Sequence, residues 1–313
     1  MIRRRDFLYG GMASAGAILM APYALSSSGL ASGFTHDVAS GDPKQSSVTL
    51  WTRYQPKNGD DSDLRVEIAE DSKMKRVYAR SRVTATAAND WCVSPRVCDL
   101  KPGRWYFYRF ISPDGSSSPV GRTRTLPSGA TQSFKVAVVS CNNATSGWFN
   151  AFAEIADRDD IDLVIHVGDY IYESPLDRGD AVPGLAELRG LAPHHEVVTL
   201  ADYRARYASY RADPAFQAIH RKLPMIVMMD DHESVNNSWK DGAKNHDPQT
   251  EGPWADRKRA AFKAFYEWVP ATTALYDRFD IGDLASLFRL ETRLHSRSEQ
   301  FDLSGELQSI ELN

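Results

Sequence analysis

Long apolar runs are missing from this 313-residue chain, and so is a strong excess of either charge. The most apolar stretch near the N-terminus, Tyr9 to Leu25, is interrupted by Gly10, Gly11, Ser14, Gly16 and Pro22. It falls short of the ~20 strongly apolar residues that a membrane span needs. With 37 Lys and Arg against 41 Asp and Glu, the net charge of −4 provides no general attraction to nucleic acid or to an anionic membrane. Both reward a basic surface, so no nucleic-acid module is expected and any anion-binding site must be local. No internal repeat or low-complexity tract occurs, and 42% apolar with 25% charged residues argues against disorder. Cysteine is scarce as well, and three is an odd number, so at most one disulfide can form. Cys92 and Cys98 fall in a stretch, Asp90 to Asp99, that reads as one strand. A rise of ~3.3 Å per residue separates them by ~20 Å, against ~4.4–6.8 Å between the α-carbons of a disulfide, although Pro95 offers a bend. Cys141 is left as the thiol to explain.

What is present begins with Arg3, Arg4 and Arg5, then Asp6-Phe7-Leu8 and the weak apolar run, with Gly29 and Ala31 suited to positions −3 and −1 of a cleavage site. Residues 1–31 therefore read as an export signal. The Arg4-Arg5 pair resembles the twin-arginine type, an address read by a translocase and not a stable membrane anchor. A periplasmic or secreted protein is expected. Twin-arginine export carries folded proteins, often with metal loaded, which by association favours a metalloprotein.

Thirteen Tyr, thirteen Phe and seven Trp are enough large side chains for more than one core, and the length suits two domains. From Phe34 to about Leu126 the text is strands and turns: Ser47 to Arg53, Leu64 to Ala69, Val77 to Val83, Cys92 to Asp99 and Trp105 to Ile111. Turn residues such as Asn58-Gly59 and Pro113-Asp114-Gly115 separate them, which predicts a β-sandwich over 34–127 of immunoglobulin or fibronectin type III kind. After a linker at Leu126 to Gly129, short apolar runs alternate with helix-period segments. Val136 to Val139, Leu163 to Val167 and Met225 to Met229 read as strands buried on both faces. Trp148 to Ile155, Tyr203 to Tyr210, Phe216 to Arg221 and Asp256 to Trp268 read as helices, the last stopping at Pro270. The second domain, 133–313, is thus α/β.

All three of its strands end in polar, metal-ligating types: Ser140-Cys141, then Gly168-Asp169 with Tyr172 following, then Asp230-Asp231-His232-Glu233. The carboxyl ends of strands in such sheets share one edge, where ligands bind, so these groups converge without a long loop to place them. Taken singly, Cys141 reads as a small core residue, Gly-Asp as a turn, His232 as a satisfied buried histidine, and Tyr170 and Tyr172 as packing. Asp230 and Asp231 resist that reading, because adjacent carboxylates after an apolar strand are costly to desolvate unless a cation or several donors meet them. Gly168 suits a backbone that turns sharply to aim Asp169 inward.

The segments SCNN (Ser140 to Asn143), HVGDYIYE (His166 to Glu173) and MMDDHESVNN (Met228 to Asn237) resemble, in order and spacing, the motifs of the PhoD-like alkaline phosphatase/phosphodiesterase family. Flanking text is similar too, from Val38-Ala-Ser-Gly-Asp42-Pro43 through Leu200 to Pro214 and Leu287 to Gln300. The resemblance implies a β-sandwich ahead of a calcineurin-like metallophosphatase domain, and hydrolysis of phosphate mono- or diesters by a metal-bound hydroxide with Fe(III) and Ca. It implies Cys141 and Tyr172 as iron ligands and Asp169 as the bridge between iron and calcium. Asp231 stands where related metallophosphatases use an Asn ligand, and Asn236 or Asn237 supplies a calcium oxygen. The resemblance further implies that His232 faces the phosphate and shares the catalytic role with Asp230. Thiolate and phenolate suit a ferric ion, whereas carboxylate and amide oxygens suit calcium.

The family's final ligands lie in a later Gly-Asp-x-His motif, and no such motif follows His232 in this sequence. His246 and His295 do not follow a buried strand. A metallophosphatase domain incomplete at its C-terminus is therefore expected. The alternative to a phosphoesterase is an inactive remnant or β-sandwich binding module lacking the distal ligands.

Overall fold

The structure, a computed structural model, describes residues 32–179 and 181–300. The export segment 1–31, with Arg4, Arg5, Gly29 and Ala31, lies outside the described residues. Alternation of apolar and polar residues builds the first layers. Strands β1 (Gly33–Gly41), β2 (Val48–Gln55), β3 (Ser62–Ala69), β4 (Val77–Ala85), β5 (Trp105–Ile111) and β6 (Gly121–Arg124) are all antiparallel to their sandwich neighbours. One sheet runs β4-β3-β5-β6, and its inward residues Leu64, Val66, Ile68, Tyr106, Tyr108 and Phe110 pack on Val38, Val48 and Leu50 of the facing sheet. The period of two places Arg65 and Arg109 on the opposite face.

The predicted strand over 92–99 is instead two short bridges, Cys92–Val93 and Arg96–Val97, both paired with β2. Pro95 lies between them; it has no N–H for a ladder, and its carbonyl accepts from Leu50 N at 2.9 Å. Strands β1 and β6 carry no apolar alternation that would announce them, since β1 holds Thr35, His36, Asp37 and Ser40 and β6 reads Gly-Arg-Thr-Arg. All three cysteines are free, Cys92 buried and Cys98 and Cys141 exposed. Thiol titration of the denatured, unreduced protein should therefore count three groups per chain, and a count of one would contradict this arrangement.

The α/β part is built on three parallel strands, β7 (Val136–Val139), β8 (Leu163–His166) and β9 (Met225–Val227). β1 pairs in parallel with β9 at Gly41↔Met225, so the inner sandwich sheet and the α/β sheet form one sheet, seven-stranded when the short segments Cys92–Val93 and Arg96–Val97 are counted. Helix α1 (Asn150–Asp157) joins β7 to β8, and α2 (Leu200–Arg211) and α3 (Pro214–Lys222) precede β9. A Thr199/Asp202 capping box starts α2, and Asp213 with Pro214 starts α3. Helix α4 (Trp254–Trp268) buries Trp254, Arg257, Ala261, Ala264, Phe265 and Trp268 at helical spacing. It ends where Val269 turns extended ahead of Pro270, as a pre-proline residue prefers.

Alternate residues of β8 and β9 enter different cores. Val164, Met225 and Val227 join the helix layer, while Leu163 and Ile226 pack with Phe279 and Ile281 of a hairpin formed by β10 (Tyr276–Ile281) and β11 (Ala285–Leu290). Burial on both faces holds for β8 and β9 but not for β7, which lies at the end of the strand order. Val138 on β7 is 64% exposed, because the hairpin layer does not reach it.

Candidate metal centre

Parallel registry sets the site. Val164 aligns with both Ala137 and Met225, so the chain leaves β7, β8 and β9 on one edge, and Cys141, Asp169 and Asp230 to His232 follow within a few residues. The loops are stitched together: Cys141 N donates to Gly168 O and Asn142 N to Asp169 O, both at 3.2 Å. Gly168 (φ 112°), Asp169 (φ 55°) and Cys141 (φ 55°) all take left-handed backbone, a strained conformation for the latter two that concentrates at functional sites.

Five of the eight residues singled out from sequence come together around the Asp169 carboxylate. Its Oδ2 accepts from Cys141 Sγ at 3.4 Å and from Tyr172 OH at 3.1 Å. Ligand atoms of Asp169, Asp231 and His232 lie within 4.8 Å of one another. Asp169 is 7% exposed, and its Oδ1 is buried without a hydrogen-bond partner. A buried carboxylate oxygen with no donor is costly unless a cation meets it, so the donor set fits a metal. Burial pushes the Cys141 thiol and the Tyr172 phenol up, and Asp169 adds to both shifts. Burial also raises Asp169, with His232 opposing and Asp231 and Asp230 reinforcing. The pocket by itself thus disfavours the anions that ligation requires, and a bound cation is what would deprotonate them.

The remaining three residues are placed differently. Asp230 points its carboxylate at Arg293, whose Nε donates to Oδ1. Asn236 and Asn237 contribute backbone N–H groups, to Glu173 Oε1 at 2.7 Å and to Asp231 Oδ2 at 2.6 Å. The Asn236 side chain donates to Asn245 Oδ1 at 2.8 Å.

Buttressing residues were not identified from sequence. Glu173, 1% exposed, accepts from His232 Nδ1 at 2.6 Å, and the imidazole stacks on Tyr172 with centroids 4.2 Å apart. Burial disfavours the charged ring, but the bond and charge of Glu173, with Asp169 and Asp231, outweigh it and push His232 up to about 9. Glu233, fully buried, accepts from Tyr170 N at 2.6 Å and Asp230 N at 2.8 Å, tying the β8 loop to the β9 loop; burial raises it to about 8. Asn142 links His166 and the Tyr170 carbonyl, at 2.5 and 2.8 Å. Fully buried Arg206 donates to the carbonyls of Tyr172, Ser174, Ala192 and Pro193, clamping the loop that carries Tyr172. The signal was an acidic residue in two of the three motifs, Glu173 at the end of one and Glu233 in the middle of another.

Comparison with known proteins gives consistent matches. Residues 136–311 match the model of the PhoD-like phosphatase, and residues 20–127 match that of the PhoD-like phosphatase N-terminal domain. The chain is 33% identical over 290 residues to alkaline phosphatase D of Bacillus subtilis (strain 168), covering 87% of this chain and 48% of that protein. It therefore spans about half the length of the curated relative. A solved structure of PhoD superposes with a TM-score of 0.77 at 31% identity, over 87% of this chain and 54% of the other. The purple acid phosphatase PPD1 of yellow lupin (Lupinus luteus) shares the fold at a TM-score of 0.52 and 17% identity, over 88% and 48%.

Proposed function

This chain belongs to the PhoD-like phosphatase family, and from that premise we propose that it hydrolyses phosphate mono- or diesters at a centre of Fe(III) and calcium outside the cytoplasm. The observation that carries this reading is the Asp169 carboxylate, with one oxygen shared by a thiol and a phenol and the other buried without a donor. Cys141 and Tyr172 would hold iron, Asp169 would bridge, and Asp231 with Asn236 or Asn237 would hold calcium. When bound, the cations supply an acidified water and positive charge against the phosphoryl oxygens. Of the chain's own groups, His232 has Nδ1 committed to Glu173, which leaves Nε2 to donate to an oxygen of the ester. Residues 34–127 and 133–313 are proposed as two domains sharing one sheet, the first bracing the strands on whose edge the site stands.

The test is turnover of p-nitrophenyl phosphate and its bis ester by the purified chain loaded with Fe(III) and calcium, together with a visible spectrum. Thiolate and phenolate on a ferric ion absorb in the visible, so a band that Cys141→Ala removes or shifts is the expected result. Absence of both band and turnover under every loading condition would sink the proposal, and the ratio of the two rates gives the ester preference.

Export is proposed from Arg4 and Arg5, the translocase being the partner. Among the described residues no helix is long and apolar enough to cross a membrane. A reporter fused after residue 40 should reach the periplasm only with both arginines intact. Export undiminished by Arg4→Lys with Arg5→Lys would rule this out.

A further inference from the structure

A phosphoryl group entering this site meets a crowd of carboxyl groups, since Asp169, Asp230, Asp231, Glu173 and Glu233 all lie in or directly behind it. Against them the chain sets an arginine brought in from far along the sequence, Arg293. Arg293 follows β11, and its turn is built to present it. Glu291 accepts the backbone N–H groups of Arg293, Leu294 and His295 at 2.9, 2.7 and 2.7 Å. Leu294 is fully buried, and its carbonyl takes a hydrogen bond from Lys258 Nζ. The arginine between these anchors is thus fixed at its backbone while its side chain reaches back to the carboxyl edge of β9.

At that edge Nε donates to Asp230 Oδ1, and Nη2 stands 3.8 Å from Asp231 Oδ1, one of the clustered carboxylates. The side chain is 19% exposed, so it is not sealed from solvent. Its two terminal nitrogens make no hydrogen bond among the described residues. This arginine commits Nε to Asp230 and pairs Nη2 with Asp231 only at ion-pair distance, so the N–H donors of its fork are left without a hydrogen bond among the described residues. A planar guanidinium with parallel N–H groups matches the oxygens of a phosphoryl group, which a lysine meets only as a point charge.

We propose that Arg293 is a substrate-binding residue of this site: Asp230 holds its guanidinium at the rim of the Asp169–Asp231–His232 cluster, and its terminal nitrogens take non-bridging oxygens of the phosphoryl group. The proposal rests on the phosphoesterase reading. Asp230 is then a positioning residue that acts through Arg293, and the charge that gathers on the equatorial oxygens during displacement strengthens the contact.

The experiment is calorimetric binding of inorganic phosphate to the full chain loaded with Fe(III) and calcium, with the visible band and a calcium titration recorded in parallel. Arg293→Gln is expected to weaken phosphate binding by about 10- to 100-fold, the loss typical of hydrogen bonds to a charged group, with band and calcium affinity unchanged. Arg293→Lys should recover only part of it. Unchanged phosphate affinity in Arg293→Gln overturns the proposal, as does a gain in calcium affinity with phosphate affinity unaltered, because the guanidinium would then be a counter-charge alone. Should Arg293→Gln fail to fold, wild-type phosphate affinity in Arg293→Lys overturns it. A wild-type band without phosphate binding also overturns it while sparing the metal centre, whereas no band in any variant removes the phosphoesterase reading and this inference with it.

Discussion

Asp169→Asn is expected to abolish iron loading and to lower ester hydrolysis by more than the ~10- to 100-fold that loss of an outer-shell partner costs. The reason is its position. Asp169 Oδ2 touches both Cys141 and Tyr172, its Oδ1 is buried without a donor, and its ligand atoms reach those of Asp231 and His232. Asparagine keeps the size, tolerates the left-handed backbone at φ 55°, and removes only the charge. The fold should survive, with a melting temperature within a few degrees of wild type. Full loss of the visible band with an intact near-ultraviolet spectrum is the expected pair of readings. Near-wild-type turnover in Asp169→Asn would remove Asp169 from the centre of the site.

Gly168→Ala should cost stability where Asp169→Asn does not. Gly168 sits at φ 112°, and a Cβ there would lie 2.4 Å from Asp230 Cβ and 2.8 Å from Asp230 N. Neither neighbour can yield, because Asp230 N is bonded to buried Glu233 and its carboxylate to Arg293. Backbone strain of about 1–3 kcal/mol and overpacking of about 1–3 kcal/mol together predict a loss of about 2–6 kcal/mol. That corresponds to a fall in melting temperature of about 5–20 °C. Gly59, at φ 75° with nothing within 4 Å of where a Cβ would stand, is the matched control and should lose far less on the same change. Equal losses at both positions would show that the β8 and β9 loops do not press on each other in this way.

Much of this was legible in the residues. Trp105 to Ile111 is a strand from end to end, Met225 and Leu163 open strands as their apolar runs indicate, and α4 stops ahead of Pro270. The three strand-end motifs announced a common edge, because parallel strands leave a sheet on the same side whatever their neighbours are. The starts of α2 and α3 were read a few residues late, at Tyr203 and Phe216, because the caps at Thr199 with Asp202 and at Asp213 with Pro214 precede the apolar period.

Other features were decided only by tertiary structure. β1 was illegible because acidic residues in and next to it are satisfied by partners distant in sequence: Asp37 meets Arg221, and Asp42, just beyond the strand, meets Arg289 at 2.6 Å. β7 looked like a buried strand, yet a strand's exposure depends on what lies beside and above it, and Val138 lies open at the end of the strand order. No role was assigned to Glu173, Glu233 or Arg206 from sequence, since charged side chains are almost never buried and only the folded loops give these three the N–H and carbonyl partners that permit it. The sequence by itself thus determined which groups come to the edge of the sheet, a consequence of period and direction along each strand. Which of those groups touch, and that Arg293 joins them from the far side of a hairpin, was decided by packing between segments that no local pattern connects.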